Sequence, residues 1–177
     1  QNQEFGMTEK TIEQRLAVLE DIHAIEVLKW RYLRACDRKQ PDVVRGCFTD
    51  DAVIDFEGFP LFDNPDAFVE IYRDYGCRPN IVDMHHGQNP IISVDGDRAT
   101  GVLDCYFFQI DTDTGRHTQL AVGYDDEFVR VGDGTWRISR CMSRRVSMLV
   151  SDVGADGVGR VAFAGRSDIE GPPPPAR

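Results

Sequence analysis

The chain has 177 residues, with 20 Lys and Arg against 30 Asp and Glu, a formal charge of −10 before its four histidines are counted. That balance repels phosphate backbones and anionic lipid surfaces, so neither nucleic acid nor membrane is expected as a partner. An ordinary globular composition, no apolar run near the roughly 18 residues that span a bilayer, and no signal-peptide pattern at the start point to one cytoplasmic domain. Gln1 to Gly6, ahead of Met7, are set aside as a leader foreign to the fold, leaving a single domain over 7–150 and a tail over 151–177.

From Thr11 onward, Ile12, Leu16, Leu19, Ile22, Ile25, Leu28, Tyr32 and Cys36 recur in steps of three and four, which predicts a long amphipathic helix ending near Asp37. Pro41 suits the first turn of a short second helix through Phe48. Thr49, Asp50 and Asp51 then break the pattern before a strand over Ala52 to Phe56. Asn64 followed by Pro65 reads as the cap and first residue of a third helix, with Gly76 as its terminator.

The second half is rich in β-branched and aromatic residues. Four strands are predicted over Val82 to Val94, Ala99 to Ile110, Gln119 to Val131 and Thr135 to Leu149, separated by short polar Asp/Gly turns that make each pair antiparallel with the next. The fold class is therefore α+β, helices first and then a meander that they cover. The glycine-rich stretch after Ser151, ending in Pro172 to Pro175, reads as irregular. Five scattered cysteines without a Cys-x-x-Cys pair read as small buried hydrophobes, not a disulfide framework.

A curved sheet buried under helices leaves a mouth, and an apolar cavity with a few polar groups is a ready ligand site. Four residues stand out there: Tyr32, Asp37, His85 and His86. Adjacent strand residues face opposite sides, so only one of the two histidines looks inward, which makes a poor metal site. No metal and no cofactor is expected. A carboxylate at a helix C-terminus opposes the partial negative charge of the helix end. A histidine donating to Asp37 would compensate, and its tautomer would be fixed in return. The plainer alternative is a solvated Asp37 and a structural His85. Tyr32 and Asp37 lie about 140° apart around the helix and do not share a face.

These residues carry a resemblance. The order of elements, together with Ile25-x6-Tyr32-x4-Asp37, Phe48-Thr49-Asp50-Asp51-Ala52-Val53, His85-x-Gly87-x-Asn89, Gly96-Asp97-Arg98-Ala99, Tyr124-x-x-Glu127-Phe128 and Gly134-x-Trp136-x-Ile138, resembles the SnoaL-like branch of the nuclear-transport-factor-2-like superfamily from Leu19 to about Arg145. The resemblance implies a cone-shaped α+β barrel, with N-terminal helices covering a strongly curved antiparallel sheet. Within that branch the chain is similar to the bile acid dehydratase, scytalone dehydratase and hexachlorocyclohexane dehydrochlorinase group, in which a His–Asp dyad removes a proton during elimination. By that resemblance His85 is the base, Asp37 its orienting partner, and Tyr32 the residue that polarises a substrate oxygen. Asp104, on the second long strand, stands near the dehydratases' further polar residue but one residue out of phase. Phe56, Phe107 and Asn89 complete the expected substrate-binding set.

The leading expectation is a small cofactor-independent lyase, a dehydratase acting on an apolar cyclic, polyketide-like or steroid-like substrate. A ketosteroid-isomerase-like or polyketide-cyclase-like enzyme would use the same groups, and a noncatalytic binding module of the same fold is the competing class. Apolar residues on both phases of the strands, such as Val102, Leu103, Phe107 and Phe108, point to a homodimer or homotrimer. Arg140, Arg144 and Arg145 read as rim residues, one of which could bind an acidic substrate.

Overall fold

The computed structural model describes residues 11–166. Thr11 opens α1 (Ile12–Asp37) with a capping box: its hydroxyl accepts from the Gln14 N–H at 3.2 Å, and the Gln14 side chain accepts from the Thr11 N–H at 3.0 Å. Burial begins later along α1 than its periodicity predicts. Ile25, Leu28, Lys29, Tyr32, Leu33 and Cys36 are buried, whereas Ile12, Leu16 and Leu19 are exposed.

The short helix α2 (Pro41–Arg45) stops before Phe48, where β1 (Phe48–Phe56) begins, four residues ahead of the expected start. The polar run Thr49-Asp50-Asp51 is tolerated within it because β1 is an edge strand with a register shift between Phe48 and Val53, and Asp50 is free to pair with Arg45 at 2.7 Å. Asn64 caps α3 (Pro65–Ile71) by accepting from the Ala67 N–H at 2.9 Å. The last turn, Tyr72–Gly76, is a π-turn instead of α-helix, and Gly76 fits it because a Cβ there would lie 2.6 Å from the Tyr72 ring.

The strands β2 (Ile81–Asp95), β3 (Arg98–Asp111), β4 (Arg116–Arg130) and β5 (Trp136–Val153) form the expected meander. Gly96 and Gly115, at φ 59° and 71°, take the left-handed conformation that the first two turns require. The sheet order is β1-β5-β4-β3-β2, and β1 runs parallel to β5, so the sheet is mixed where an all-antiparallel one was expected. A parallel neighbour needs a long crossover, and α3 with the whole meander supplies it.

The stretch after Ser151 is also corrected. Residues Gly159–Arg166 form β6, antiparallel to Ser147–Val153 of β5. Pairing of β1 with β5 ends at Ser143, so the second half of β5 would otherwise present an open edge. Gln1 to Gly6 and Pro172 to Pro175 lie outside the described residues.

The architecture is an α+β cone, open between its edge strands β1 and β2. Bulges in β2 and β5 bend the sheet. Its inner phase, including Ala99, Leu103 and Cys105 of β3, Tyr124, Asp126 and Phe128 of β4, and Ile138 and Cys141 of β5, packs against the inward stripe of α1. No described helix is long and apolar enough to cross a membrane.

Candidate active site at the rim of the cone

The C-terminal end of α1 lies along the free edge of β2. Trp30 and Leu33 sit so close to the strand that a Cβ on Gly87 would fall 2.1 Å from the Trp30 ring and 2.8 Å from Leu33. Gly87 thus sets the approach of helix to strand. Gly87→Ala is expected to cost about 1–3 kcal/mol through overpacking, read as a lower denaturation midpoint with altered Trp30 fluorescence; an unchanged midpoint would show that α1 is not seated this tightly.

That approach brings Asp37 to His85. The Asp37 Oδ1 lies 2.7 Å from His85 Nδ1, and the carboxylate also accepts the His85 backbone N–H, at 3.0 and 3.2 Å to its two oxygens. One carboxylate therefore satisfies an edge-strand N–H and orients an imidazole, which accounts for an acid at a helix C-terminus. With Nδ1–H donated to Asp37, the lone pair of Nε2 is the basic position. The His85 ring rests against Phe107, centroids 4.6 Å apart. His86 points to the outer face, beside Tyr106.

Two further ties hold this corner. The Tyr72 hydroxyl donates to the Cys36 carbonyl at 2.7 Å, linking the π-turn to the residue before Asp37. Lys39, left-handed at φ 55°, pairs with Asp83 at 2.5 Å, two residues before His85 on the same phase of β2. Around the pair lies a depression of about 650 Å³, walled by Trp30, Leu33, Arg34 and Arg38 of α1 and by Asp83 to Gly87 of β2.

The other expected site residues fall in three places. Tyr32 is not on the wall of this depression: it is buried on the inward stripe, edge-on to Phe48 at 5.4 Å, and burial holds its phenol well above the usual tyrosine range. Phe56 also lies inward, edge-on to Phe68 and Tyr124. Asp104 and Asn89 are turned away on the outer face, where Asn89 Nδ2 donates to Asp104 at 3.0 Å. Asp104 faces outward by alternation between the buried Leu103 and Cys105, and Asn89 does so because β2 bulges between Gln88 and Ile91, where Asn89 adopts a left-handed φ of 51°. Arg140, Arg144 and Arg145 are engaged by Glu127, Asp55 and Glu57.

Sequence reasoning missed the charged pair beneath the site. Lys29 and Asp126, 1% and 0% exposed, meet at 2.7 Å in the core. The ammonium also lies 3.5 Å from Cys141 Sγ and 3.6 Å from the centre of the Tyr124 ring. Burial alone would strip its proton, but Asp126 and the Cys141 sulfur outweigh burial and hold its pKa above the ordinary lysine value. A signal existed: Asp126 stands on the apolar phase Tyr124-x-Asp126-x-Phe128, and Lys29 stands between Ile25 and Tyr32 on the inward stripe.

Burial favours the protonated form of the buried thiols among the described residues, Cys47 included. Burial pushes Cys36 and Cys141 up, and Cys105 to about 11, so all three stay protonated. Among the described residues, no three His, Cys, Asp or Glu side chains form a group that could hold a metal.

A cone of bent sheet with a His–Asp pair at its mouth defines an α+β fold built around an open concave face. The SnoaL-like domain family matches residues 17–142, and the chain belongs to that family. Solved structures with the same fold include a candidate scytalone dehydratase from Novosphingobium aromaticivorans, 20% identical, covering 88% of this chain and 99% of its own, with a TM-score of 0.70. A hexachlorocyclohexane dehydrochlorinase from Novosphingobium barchaimii is 21% identical over 90% of this chain and 99% of its own, TM-score 0.64. A candidate aromatic ring hydroxylase from N. aromaticivorans is 25% identical over 72% of this chain and 90% of its own, TM-score 0.66. No curated protein matches the chain.

Proposed function

We propose that this protein is a small cofactor-independent lyase of the dehydratase kind, with His85 as general base and Asp37 as the group that orients it. The observation that carries this reading is the 2.7 Å contact between His85 Nδ1 and Asp37 on the wall of an accessible depression. Membership of the SnoaL-like family and the fold shared with dehydratase and dehydrochlorinase structures support it.

In the proposed reaction His85 Nε2 takes a proton from carbon next to a carbonyl, and Asp37 stabilises the imidazolium that forms. The imidazolium then returns the proton to the departing hydroxyl, so water leaves and a carbon–carbon double bond remains. Tyr32, kept protonated by burial, is assigned a donor role toward a substrate oxygen that passes Phe107 into the cone. Tyr32→Phe is expected to lower turnover about tenfold or more; full activity removes Tyr32 from the reaction.

The test needs no knowledge of the natural substrate. Cyclic ketones and cyclic β-hydroxy ketones are incubated with the protein in D₂O, with carbon-bound proton exchange followed by NMR and loss of water by mass spectrometry. Enzyme-dependent exchange with water loss is expected. Exchange without water loss indicates the isomerase-like or cyclase-like alternative. Neither process, with ligands still bound, indicates the binding module, a reading favoured by the close packing of Tyr32, Phe48, Leu103 and Tyr124 inside the cone.

The proposed partners are a small apolar or polycyclic substrate and further copies of the chain. Val82, Met84, Val102 and Tyr106 are exposed together on the outer faces of β2 and β3, an apolar area suited to self-association. Sedimentation at micromolar concentration is expected to give a dimer or trimer, and a monomer mass would refute it.

A further inference from the structure

The depression beside His85 has an unusual charge pattern for so acidic a chain. Both carboxylates on its wall are already engaged, Asp37 by the His85 ring and backbone N–H, and Asp83 by Lys39. Its two arginines are not. Arg34 and Arg38 meet no carboxylate among the described residues; Arg15, Arg31, Arg78, Arg98 and Arg137 meet none either, but only Arg34 and Arg38 line the depression. The negative end of a helix favours a cation in its last turn, but a solvated side chain on any face would satisfy that preference. Here both stand on the wall that carries the candidate base.

Four residues apart on α1, their Cα atoms are about 6 Å apart along the axis. Two guanidinium forks at that spacing suit the planar oxygens of a carboxylate or the tetrahedral oxygens of a phosphate. Trp30 and Leu33 on the same wall offer apolar surface next to them. We propose that the ligand of this depression is an amphiphilic anion: Arg34 and Arg38 hold its carboxylate or phosphate, its apolar body lies on Trp30, and its reacting carbon faces His85. This inference deepens the dehydratase reading and rests on it for the position of the reacting carbon.

The experiment measures binding to the intact chain by calorimetry and Trp fluorescence. The probes are 2-naphthoate, 2-naphthyl phosphate, the neutral isostere 2-naphthamide, and inorganic phosphate. At least one aromatic anion is expected to bind about tenfold or more tightly than the amide, as charge-assisted hydrogen bonds allow, and which anion does so tells a carboxylate ligand from a phosphate one. The preference is expected to vanish in Arg34→Met/Arg38→Met and to persist in Arg15→Met/Arg98→Met, which removes two arginines outside the depression. Because Arg34 and Arg38 are both exposed, the double variant should fold.

The inference is overturned if no probe binds or the amide binds as well as the anions. It is also overturned if the preference survives loss of Arg34 and Arg38, or if inorganic phosphate alone binds as tightly as naphthyl phosphate. Proton exchange on neutral ketones, measured in parallel, separates the two ideas: exchange without anion preference sinks this inference alone, and anion preference without exchange sinks the catalytic reading alone.

Discussion

His85→Ala is expected to lower the rate of carbon-proton exchange by at least about a hundredfold, since positioned acid–base catalysis contributes on that scale or more. The melting temperature should change little, because Asp37 keeps the His85 backbone N–H as a partner when the ring is removed. His86→Ala should cost much less, since His86 faces outward. Asp37→Asn keeps an acceptor for the β2 backbone N–H but removes the charge that stabilises the imidazolium formed as the proton is taken. A large loss of turnover and a modest change in affinity are expected. If Asp37→Asn leaves the rate untouched while lowering the melting temperature, Asp37 serves only to hold the sheet edge.

Lys29→Met should produce the largest loss of stability, about 3–5 kcal/mol, because it leaves Asp126 as an uncompensated charge in the core. Replacing both partners, as in Lys29→Met/Asp126→Leu, is expected to recover most of that loss, since two apolar side chains escape the desolvation cost that the ion pair carries. Urea denaturation of the two single variants and the double variant measures the coupling. A single variant as stable as the parent would show that the pair is solvated. The raised lysine pKa adds a pH signature. Its stabilisation is present in full below the ordinary lysine pKa and is lost as pH rises through the higher folded value, so the parent should weaken in strong alkali through a process that the double variant lacks.

Period-two and period-3.6 patterns made the elements legible before any coordinates, and the meander from β2 to β5 follows its turns almost residue by residue. The opposite facing of His85 and His86 also follows from strand alternation alone. So does the puzzle of Asp37, an acid at the wrong end of a helix, which asks for a compensating partner without saying which.

Tertiary structure decided the rest, because each remaining feature depends on elements distant in sequence. Whether Asp37 reaches His85 depends on how closely α1 approaches β2, and that distance is set by the missing Cβ of Gly87. Asn89 turns outward because a bulge shifts the phase of β2, which no repeat pattern announces, whereas the outward facing of Asp104 follows from alternation along β3. Ile12, Leu16 and Leu19 share the apolar period of α1 yet stay exposed, since periodicity defines a face but not how far along the helix the sheet extends to cover it. Lys29 and Asp126 read singly as solvated charges. Only the fold brings them together, and a lysine and an aspartate separated by 97 positions in the chain (126 − 29) can be buried only because each neutralises the other.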